Sequence, residues 1–184
     1  VGGSIATNAG GINLIRFGGT REQLVGIEAV LGTGGTVRRM TGLVKDNTGY
    51  HLPSLLCGSE GTLGIVTAAR FRLVGAAPHR VVALVAMSSV DAAVRAVASW
   101  RRGVASLEAA ELVFADGVAL VVSTLGATSP FEDVAPVYVL LEAGGVDDPT
   151  DELATAVGGV DGVLDVAVAS DSARRAALWR LREE

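Results

Sequence analysis

Apolar positions in the first part of the chain form short runs separated by glycine-rich turns. Residues 26–31 predict a strand, 32–35 a tight turn and 36–40 the returning strand. The run 52–56, with a proline at its second position, predicts a short helix. Residues 65–73 alternate with period two, which is typical of a strand packed on one side. This part of the chain is therefore predicted to be a small sheet with connecting turns.

From residue 81 onwards, strand-like and helix-like segments of similar length alternate. The predicted strands are 81–87, 104–113, 137–142 and 163–169, and the predicted helices are 89–100, 115–125, 148–157 and a last one with Ser170 or Asp171 as its N-cap. The helical spacing of Ala173, Ala177, Leu178 and Leu181 predicts that these four residues form the apolar face of that last helix. This order predicts an α+β unit of ferredoxin-like character, with helices on one face of a sheet.

Composition adds a domain boundary and excludes several classes of protein. Residues 1–75 hold 16 of the 24 glycines, which predicts two architectures and domains at 1–76 and 77–184. The net charge is −5, without a basic stripe interleaved with aromatic residues, and this argues against nucleic-acid binding. The apolar runs are too short for a transmembrane helix. Cys57 is the single cysteine, so no internal disulfide is possible, and a small buried side chain is expected there.

Two glycine-rich segments are the candidate ligand-binding elements. Residues 2–11 (GGSIATNAGG) and 58–67 (GSEGTLGIVT) offer backbone N–H groups that no Cβ shields, together with short hydroxyl and amide side chains. Such loops suit a pyrophosphate or the hydroxyls of a sugar. On composition alone, ordinary surface turns are at least as good an interpretation.

The order of the motifs gives a far more specific resemblance. GGSIATNAGG is followed by RFG at 16–18, DNTGY at 46–50, GSEGTLGIVT and, at 178–183, LWRLRE. This series resembles the FAD-linked oxidoreductases of the vanillyl-alcohol oxidase (PCMH) type. The branch it is most similar to contains D-lactate dehydrogenase, the glycolate oxidase subunit and D-2-hydroxyglutarate dehydrogenase. The resemblance implies a partial PCMH-type FAD-binding subdomain over 1–76, followed by part of a ferredoxin-like α+β substrate-side cap over 77–184.

The same resemblance implies a function and its site residues. The intact enzyme is expected to oxidise a D-2-hydroxy acid to the 2-oxo acid by hydride transfer to FAD. The first segment contributes cofactor-binding residues at Gly2, Gly3, Ala6, Thr7, Asn8 and Ala9. The second contributes Glu60, Gly61, Thr62, Leu63, Gly64, Ile65 and Val66. The arginine of the Leu-Arg-Glu ending, Arg182, is expected to bind the substrate carboxylate, although an exposed arginine on a terminal helix is about as good an interpretation.

Other expectations concern what lies outside these motifs. The family's catalytic histidine segment does not occur here, so we expect an internal part of a longer enzyme that is inactive by itself and has its base elsewhere. His51 and His79 are expected to be structural or exposed, and no metal site is expected. We expect a cytoplasmic protein, with peripheral membrane attachment and a homodimer as open alternatives; the electron acceptor is unknown. Alternative functions are an alkyl-glycerone-phosphate synthase-like enzyme, an aryl-alcohol oxidase, or a catalytically silent binding module.

Overall fold

A computed structural model describes residues 1–43 and 45–183. The chain divides into two compact units, Val1–Gly75 and Ala76–Glu184. Each unit has its own antiparallel sheet and its own buried residues, and each is described separately below.

The first unit is built around a three-stranded sheet with the order β2-β1-β3. Its strands are β1 (Leu24–Leu31), β2 (Thr36–Arg39) and β3 (Gly64–Phe71), and its helices are α1 (Gly2–Ala6), α2 (Leu14–Phe17), α3 (Thr20–Gln23) and α4 (Leu52–Leu56). The predicted hairpin is confirmed: the N–H of Leu31 donates to the carbonyl of Gly35 at 2.8 Å, and Gly34 adopts φ +83°. Side chains of α1, β1 and α4 form the core: Ile5, Leu24, Ile27, Ala29, Leu56 and Cys57.

The start of the chain differs from the prediction of a loop. Residues 2–6 form the single-turn helix α1 in spite of two glycines. Ile5, which is 1% exposed, packs into the core, and the N–H of Ile5 donates to the carbonyl of Val1 at 3.1 Å. Burial of this one side chain outweighs the low helix propensity of glycine, which is a local preference that tertiary packing overrides.

The second unit contains a four-stranded antiparallel sheet with the order β5-β6-β4-β7. Its elements, in chain order, are β4 (His79–Met87), α5 (Val90–Gly103), β5 (Leu107–Phe114), α6 (Ala115–Leu125), β6 (Val137–Gly145), α7 (Thr150–Gly158), β7 (Val163–Ala169) and α8 (Ser172–Glu183). With α5 and α7 as the crossover helices, this strand order is the ferredoxin-like arrangement, and the α+β prediction is confirmed.

The expectation that helices cover one face of this sheet is wrong. Helices α5 and α7 pack on one face, while α6 and α8 cover the other and share its core with even-numbered residues of β4 and β6 such as Leu84 and Leu140. The run 81–87 is buried at every position. A strand covered on both faces is a continuous apolar run rather than an alternating one, and the sequence of β4 carries that signal.

The buried face of α8 also differs from the expected one. Leu178 and Leu181 are buried as predicted, but Ala173 and Ala177 are exposed. Trp179, which is 9% exposed, takes their place. The large indole therefore decides which side of the helix packs on the sheet. At the start of α8, a carboxylate oxygen of Asp171 accepts from the N–H of Arg174 at 2.9 Å, as the N-cap prediction requires.

Candidate functional site

The two glycine-rich segments of the first unit lie side by side. The N–H of Gly58 donates to the carbonyl of Ile5, and the N–H of Glu60 donates to the carbonyl of Ala6, both at 2.9 Å. The bonded residues are 53 and 54 positions apart in the sequence, so two distant segments are joined through their backbones. The structure thus places the start of the second segment against the helix that begins the first.

Helix α3 braces this pair of segments. The backbone N–H of Arg21 donates to Oδ1 of Asn8 at 3.0 Å, and its guanidinium donates to the carbonyl of Cys57 at 2.7 Å. The hydroxyl of Thr20 donates to the carbonyl of Ala9 at 2.8 Å. Sequence reasoning missed Arg21 and Thr20, because both side chains donate to backbone carbonyls, and such partners leave no sequence motif. Asn8, at φ +51°, is a residue type that tolerates the left-handed region.

The glycines of the two segments have different surroundings. A Cβ added at Gly2 or Gly3 would meet no heavy atom within 4 Å, so these positions border open space. A Cβ at Gly64 would lie 2.7 Å from the carbonyl oxygen of Val30, so this glycine is required by the close contact of β1 and β3. Gly61, at φ +81°, has only the distant tip of Ile65 near it, at 3.9 Å.

The polar side chains of the two segments indicate which chemical groups of a ligand this surface suits. The hydroxyl of Thr7 donates to the carbonyl of Gly3 at 3.0 Å, and that of Thr62 donates to the carbonyl of Ser59 at 2.5 Å. Each hydroxyl thus has its proton committed and keeps lone pairs that can accept. Glu60 adds an exposed carboxylate. Acceptors of this kind suit sugar hydroxyls or an adenine amino group better than a phosphate.

The remaining predicted cofactor residues are mostly accessible side chains. Leu63 and Ile65 are 44% and 66% exposed, which leaves two apolar side chains beside the glycine-rich surface. Val66 is half-buried and packs against the core of the first unit. The acceptor oxygens and the exposed apolar side chains together fit a flavin nucleotide.

The DNTGY segment forms a polar turn that is held by its own side chains and by Arg39. Asp46 accepts hydrogen bonds from the hydroxyl and the backbone N–H of Thr48 and from the guanidinium of Arg39. These bonds, those from Thr48 first, lower the pKa of Asp46 from 3.8 to about 2. The ring of His51 accepts from the N–H of Ser54 at 3.3 Å and caps α4. His51 and His79 are both exposed, and Cys57 is buried, as expected.

In the second unit, Arg182 lies on α8 and pairs with a carboxylate of the sheet. Its Nε and Nη2 atoms are 3.2 Å and 3.1 Å from Oε2 of Glu111 on β5. The side chain of Arg182 is 42% exposed and that of Glu111 is 26% exposed. The predicted substrate-binding arginine is therefore accessible but already has a partner.

A buried charged network lies on the same sheet. One guanidinium nitrogen of Arg80 is 2.8 Å from Oε2 of Glu108 and 2.5 Å from Oε1 of Glu142, and these carboxylates are 1% and 7% exposed. The other oxygen of Glu142 accepts from the indole N–H of Trp179 at 2.6 Å. Glu108 lies at a register shift in β5, and a Cβ on Gly144 would lie 2.8 Å from its carboxyl carbon.

Sequence reasoning did not find this network. Glu142 lies inside the apolar run of β6, and a glutamate in such a run is itself a signal. Carboxylates are rarely buried unless they are paired, so this position predicts a partner. Arg80 and Glu108 are isolated charges at the ends of strands, and only the register brings them together.

Among residues 1–43 and 45–183, no group of three or more His, Cys, Asp and Glu side chains is arranged to hold a metal ion. Within the same residues, no helix combines the length and the apolar character that a membrane crossing requires.

Both units of the chain are similar to known proteins. Residues 76–184 match the family model described as FAD linked oxidases, C-terminal domain. The D-2-hydroxyglutarate dehydrogenase of Xanthomonas citri pv. viticola is 40% identical over 187 residues, which cover 100% of this chain and 39% of that protein. The mitochondrial D-2-hydroxyglutarate dehydrogenase of Danio rerio is 35% identical, again over 100% of this chain and 35% of that protein. The chain thus spans less than two-fifths of the length of these relatives.

A solved structure supports the fold. An alkyldihydroxyacetonephosphate synthase superimposes with a TM-score of 0.68 over 97% of this chain and 36% of its own, at 18% sequence identity. At that identity the likeness concerns architecture alone. The α+β fold expected from the motif series is confirmed by this likeness and by the family match.

Proposed function

The chain belongs to the family of FAD-linked oxidases, and from this premise we propose that it forms part of an enzyme that oxidises D-2-hydroxyglutarate or a similar D-2-hydroxy acid to the 2-oxo acid. FAD, when bound, supplies the acceptor for the hydride that leaves the α-carbon. The hydroxyl proton goes to a base that we expect outside the sequence described here. The cytoplasmic location, the homodimer and the electron acceptor stay predictions.

The observation that carries the proposal is the joining of the two glycine-rich segments. Their backbone hydrogen bonds, from Gly58 to Ile5 and from Glu60 to Ala6, build one surface from two motifs that are far apart in the sequence. The relatives named above then indicate the substrate class.

The side chains on this surface support a division of roles toward FAD. Thr7, Thr62 and Glu60 present acceptor oxygens, so we assign them to the ribityl or adenosine hydroxyls. Gly2 and Gly3, beside open space, let the backbone approach the nucleotide closely. The remaining cofactor-binding residues of the proposal are Ala6, Asn8, Ala9, Gly61, Leu63, Gly64, Ile65 and Val66.

Arg182 is proposed to bind a carboxylate of the substrate. A guanidinium presents donors in a planar fork that matches both oxygens of a carboxylate. Holding that group orients the α-carbon of the substrate, and such orientation is a main contribution of a protein to hydride transfer. The partial exposure of Arg182 leaves it accessible to a small anion.

The cofactor half of the proposal is tested with a glycine that borders open space. Gly3→Val in the complete enzyme should reduce the amount of bound FAD while the unfolding temperature stays within about 2 °C of wild type, because a surface side chain disturbs little else. Gly103→Val, at an equally open glycine of the other unit, is the matched control. Equal flavin content in both variants would remove the glycine-rich surface from the cofactor site.

The substrate half is tested with a dye-linked assay and a panel of substrates. D-2-hydroxyglutarate should be oxidised faster than D-lactate, glycolate, aryl alcohols or an alkyl-glycerone phosphate. Arg182→Met should lower kcat/KM by about 100-fold, as expected when a charged hydrogen-bond partner of the substrate is lost. Arg174→Met, at an exposed arginine of the same helix, should leave it unchanged. Equal kinetics for the two variants would exclude Arg182 from the site.

A further inference from the structure

Helix α8 is attached to the sheet at two carboxylates about one helical turn apart. Trp179 donates to Glu142 at 2.6 Å, and three residues later Arg182 contacts Glu111 at 3.1 Å. In the register of the sheet, Glu142 lies opposite Ala109 and Glu111 lies two positions further along the same strand as Ala109. Both carboxylates therefore project from one face of the sheet, the face on which α8 packs.

The contact between Glu111 and Arg182 uses one edge of the guanidinium. Nε and Nη2 both approach the same oxygen, Oε2, at 3.2 Å and 3.1 Å. A guanidinium has five N–H donors, so this arrangement leaves the Nη1 pair and the second Nη2 hydrogen for another acceptor. That end of the fork presents two parallel N–H groups and can bind a carboxylate through both of its oxygens.

On the basis of the proposed function, we infer that Glu111 is a positioning residue for substrate binding. It holds the guanidinium of Arg182 by its side edge and thereby presents the end of the fork to the substrate carboxylate. The hydrogen bond between Trp179 and Glu142 fixes the backbone of α8, and Glu111 fixes the side chain of Arg182. An arginine that is already oriented loses less rotamer freedom when the substrate binds.

A competing interpretation predicts that KM changes in the opposite direction when the charge of Glu111 is removed. If Glu111 merely occupied Arg182 until the substrate displaced it, removal of its charge would strengthen substrate binding. If Glu111 orients Arg182, removal of its charge weakens binding. The direction of the change in KM therefore separates the two interpretations.

The experiment uses Glu111→Gln in the complete, FAD-loaded enzyme, with Glu132→Gln as the control at an exposed glutamate of the same unit. We expect KM for D-2-hydroxyglutarate to rise about threefold to tenfold in Glu111→Gln, with kcat changed less than twofold, because the ion pair is partly exposed. The dissociation constant of the product, 2-oxoglutarate, measured by calorimetry, should rise by the same factor. The unfolding temperatures of both variants should match that of wild type.

A double-mutant cycle shows whether Glu111 acts through Arg182. In the Arg182→Met background, Glu111→Gln should have no further effect on kcat/KM or on product binding. An unchanged or lower KM in Glu111→Gln, or an equal effect in both backgrounds, overturns the inference while leaving the proposed function in place. A wild-type enzyme that oxidises no 2-hydroxy acid and binds no 2-oxoglutarate overturns both.

Discussion

The hydrogen bond from Trp179 to Glu142 offers a direct measure of how strongly α8 is anchored. The indole N–H lies 2.6 Å from the carboxylate, and the two side chains are 9% and 7% exposed. Trp179→Phe keeps an aromatic ring in the core and removes this donor. Arg80 still faces the other oxygen of Glu142, so the variant removes one hydrogen bond and leaves the ion pair.

Trp100 provides a matched reference for the loss of unfolding free energy that is expected in Trp179→Phe. It is 1% exposed and its indole N–H donates to the carbonyl of Ala156 at 3.0 Å, so its acceptor is neutral. Hydrogen bonds to charged groups contribute about 1.5–3 kcal/mol and neutral ones about 0.5–1.5 kcal/mol. The same ring atoms are lost in Trp100→Phe and Trp179→Phe, which makes their packing losses similar. We therefore expect Trp179→Phe to lower the free energy of unfolding by about 1–1.5 kcal/mol more than Trp100→Phe does.

Urea unfolding followed by tryptophan fluorescence measures this difference. Both tryptophans lie in the second unit, so each variant keeps one reporter of the same unit. At a denaturant dependence of about 2 kcal/mol per molar urea, the midpoint of Trp179→Phe should lie roughly 0.5–0.75 M below that of Trp100→Phe. Coincident midpoints, or a lower one for Trp100→Phe, would refute the idea that the charge of Glu142 strengthens the anchor. In a Glu142→Gln background the difference should shrink, because the acceptor is then neutral.

Other substitutions test the remaining features. Arg80→Met removes the cation that faces two buried carboxylates and should cost about 3–5 kcal/mol in urea unfolding; a cost below about 1 kcal/mol would contradict a stabilising role for this network. Asp46 has a pKa of about 2 in the folded chain against 3.8 ordinarily, so its contribution to stability is present above about pH 4 and is lost as the pH falls toward 2. Accordingly, the stability gap between wild type and Asp46→Asn should close in acid titrations of the unfolding midpoint, and a constant gap would contradict this. Gly64→Ala should lower the free energy of unfolding by about 1–3 kcal/mol, since its Cβ meets the carbonyl of Val30, whereas Gly2→Ala should be neutral or slightly stabilising.

The elements that sequence patterns predicted well are those with strong local signals. The strand β4 is a run of seven apolar residues, and α6 begins and ends at the predicted residues, 115 and 125. A glycine-rich turn and alternating polarity located the hairpin and β3. Such patterns depend only on neighbours in the sequence, so one sequence is enough to find them.

The features that escaped prediction depend on partners distant in the sequence. Helix α1 forms because Ile5 reaches a core built by β1 and α4, which no propensity of a glycine pair conveys. Arg21 braces two loops through backbone carbonyls, and Arg80 meets Glu142 across 62 residues. In each case the decisive contact is set by the sheet register or by tertiary packing, and these are the levels at which local patterns carry least information.

A glycine-rich motif can combine structural and ligand-binding requirements. Comparing the glycines of the two segments separates these requirements. Gly64 is tied to β1 by a close backbone contact, and Gly61 needs its positive φ, so substitutions at either disturb the fold whatever the ligand. Gly2 and Gly3 have neither a close neighbour nor a positive φ, yet the motif series includes them. A glycine that the fold does not require, at a surface built from two joined segments, needs another reason to be glycine. We propose that close approach of a ligand to the backbone supplies that reason, which makes the first segment the more informative part of the proposed site.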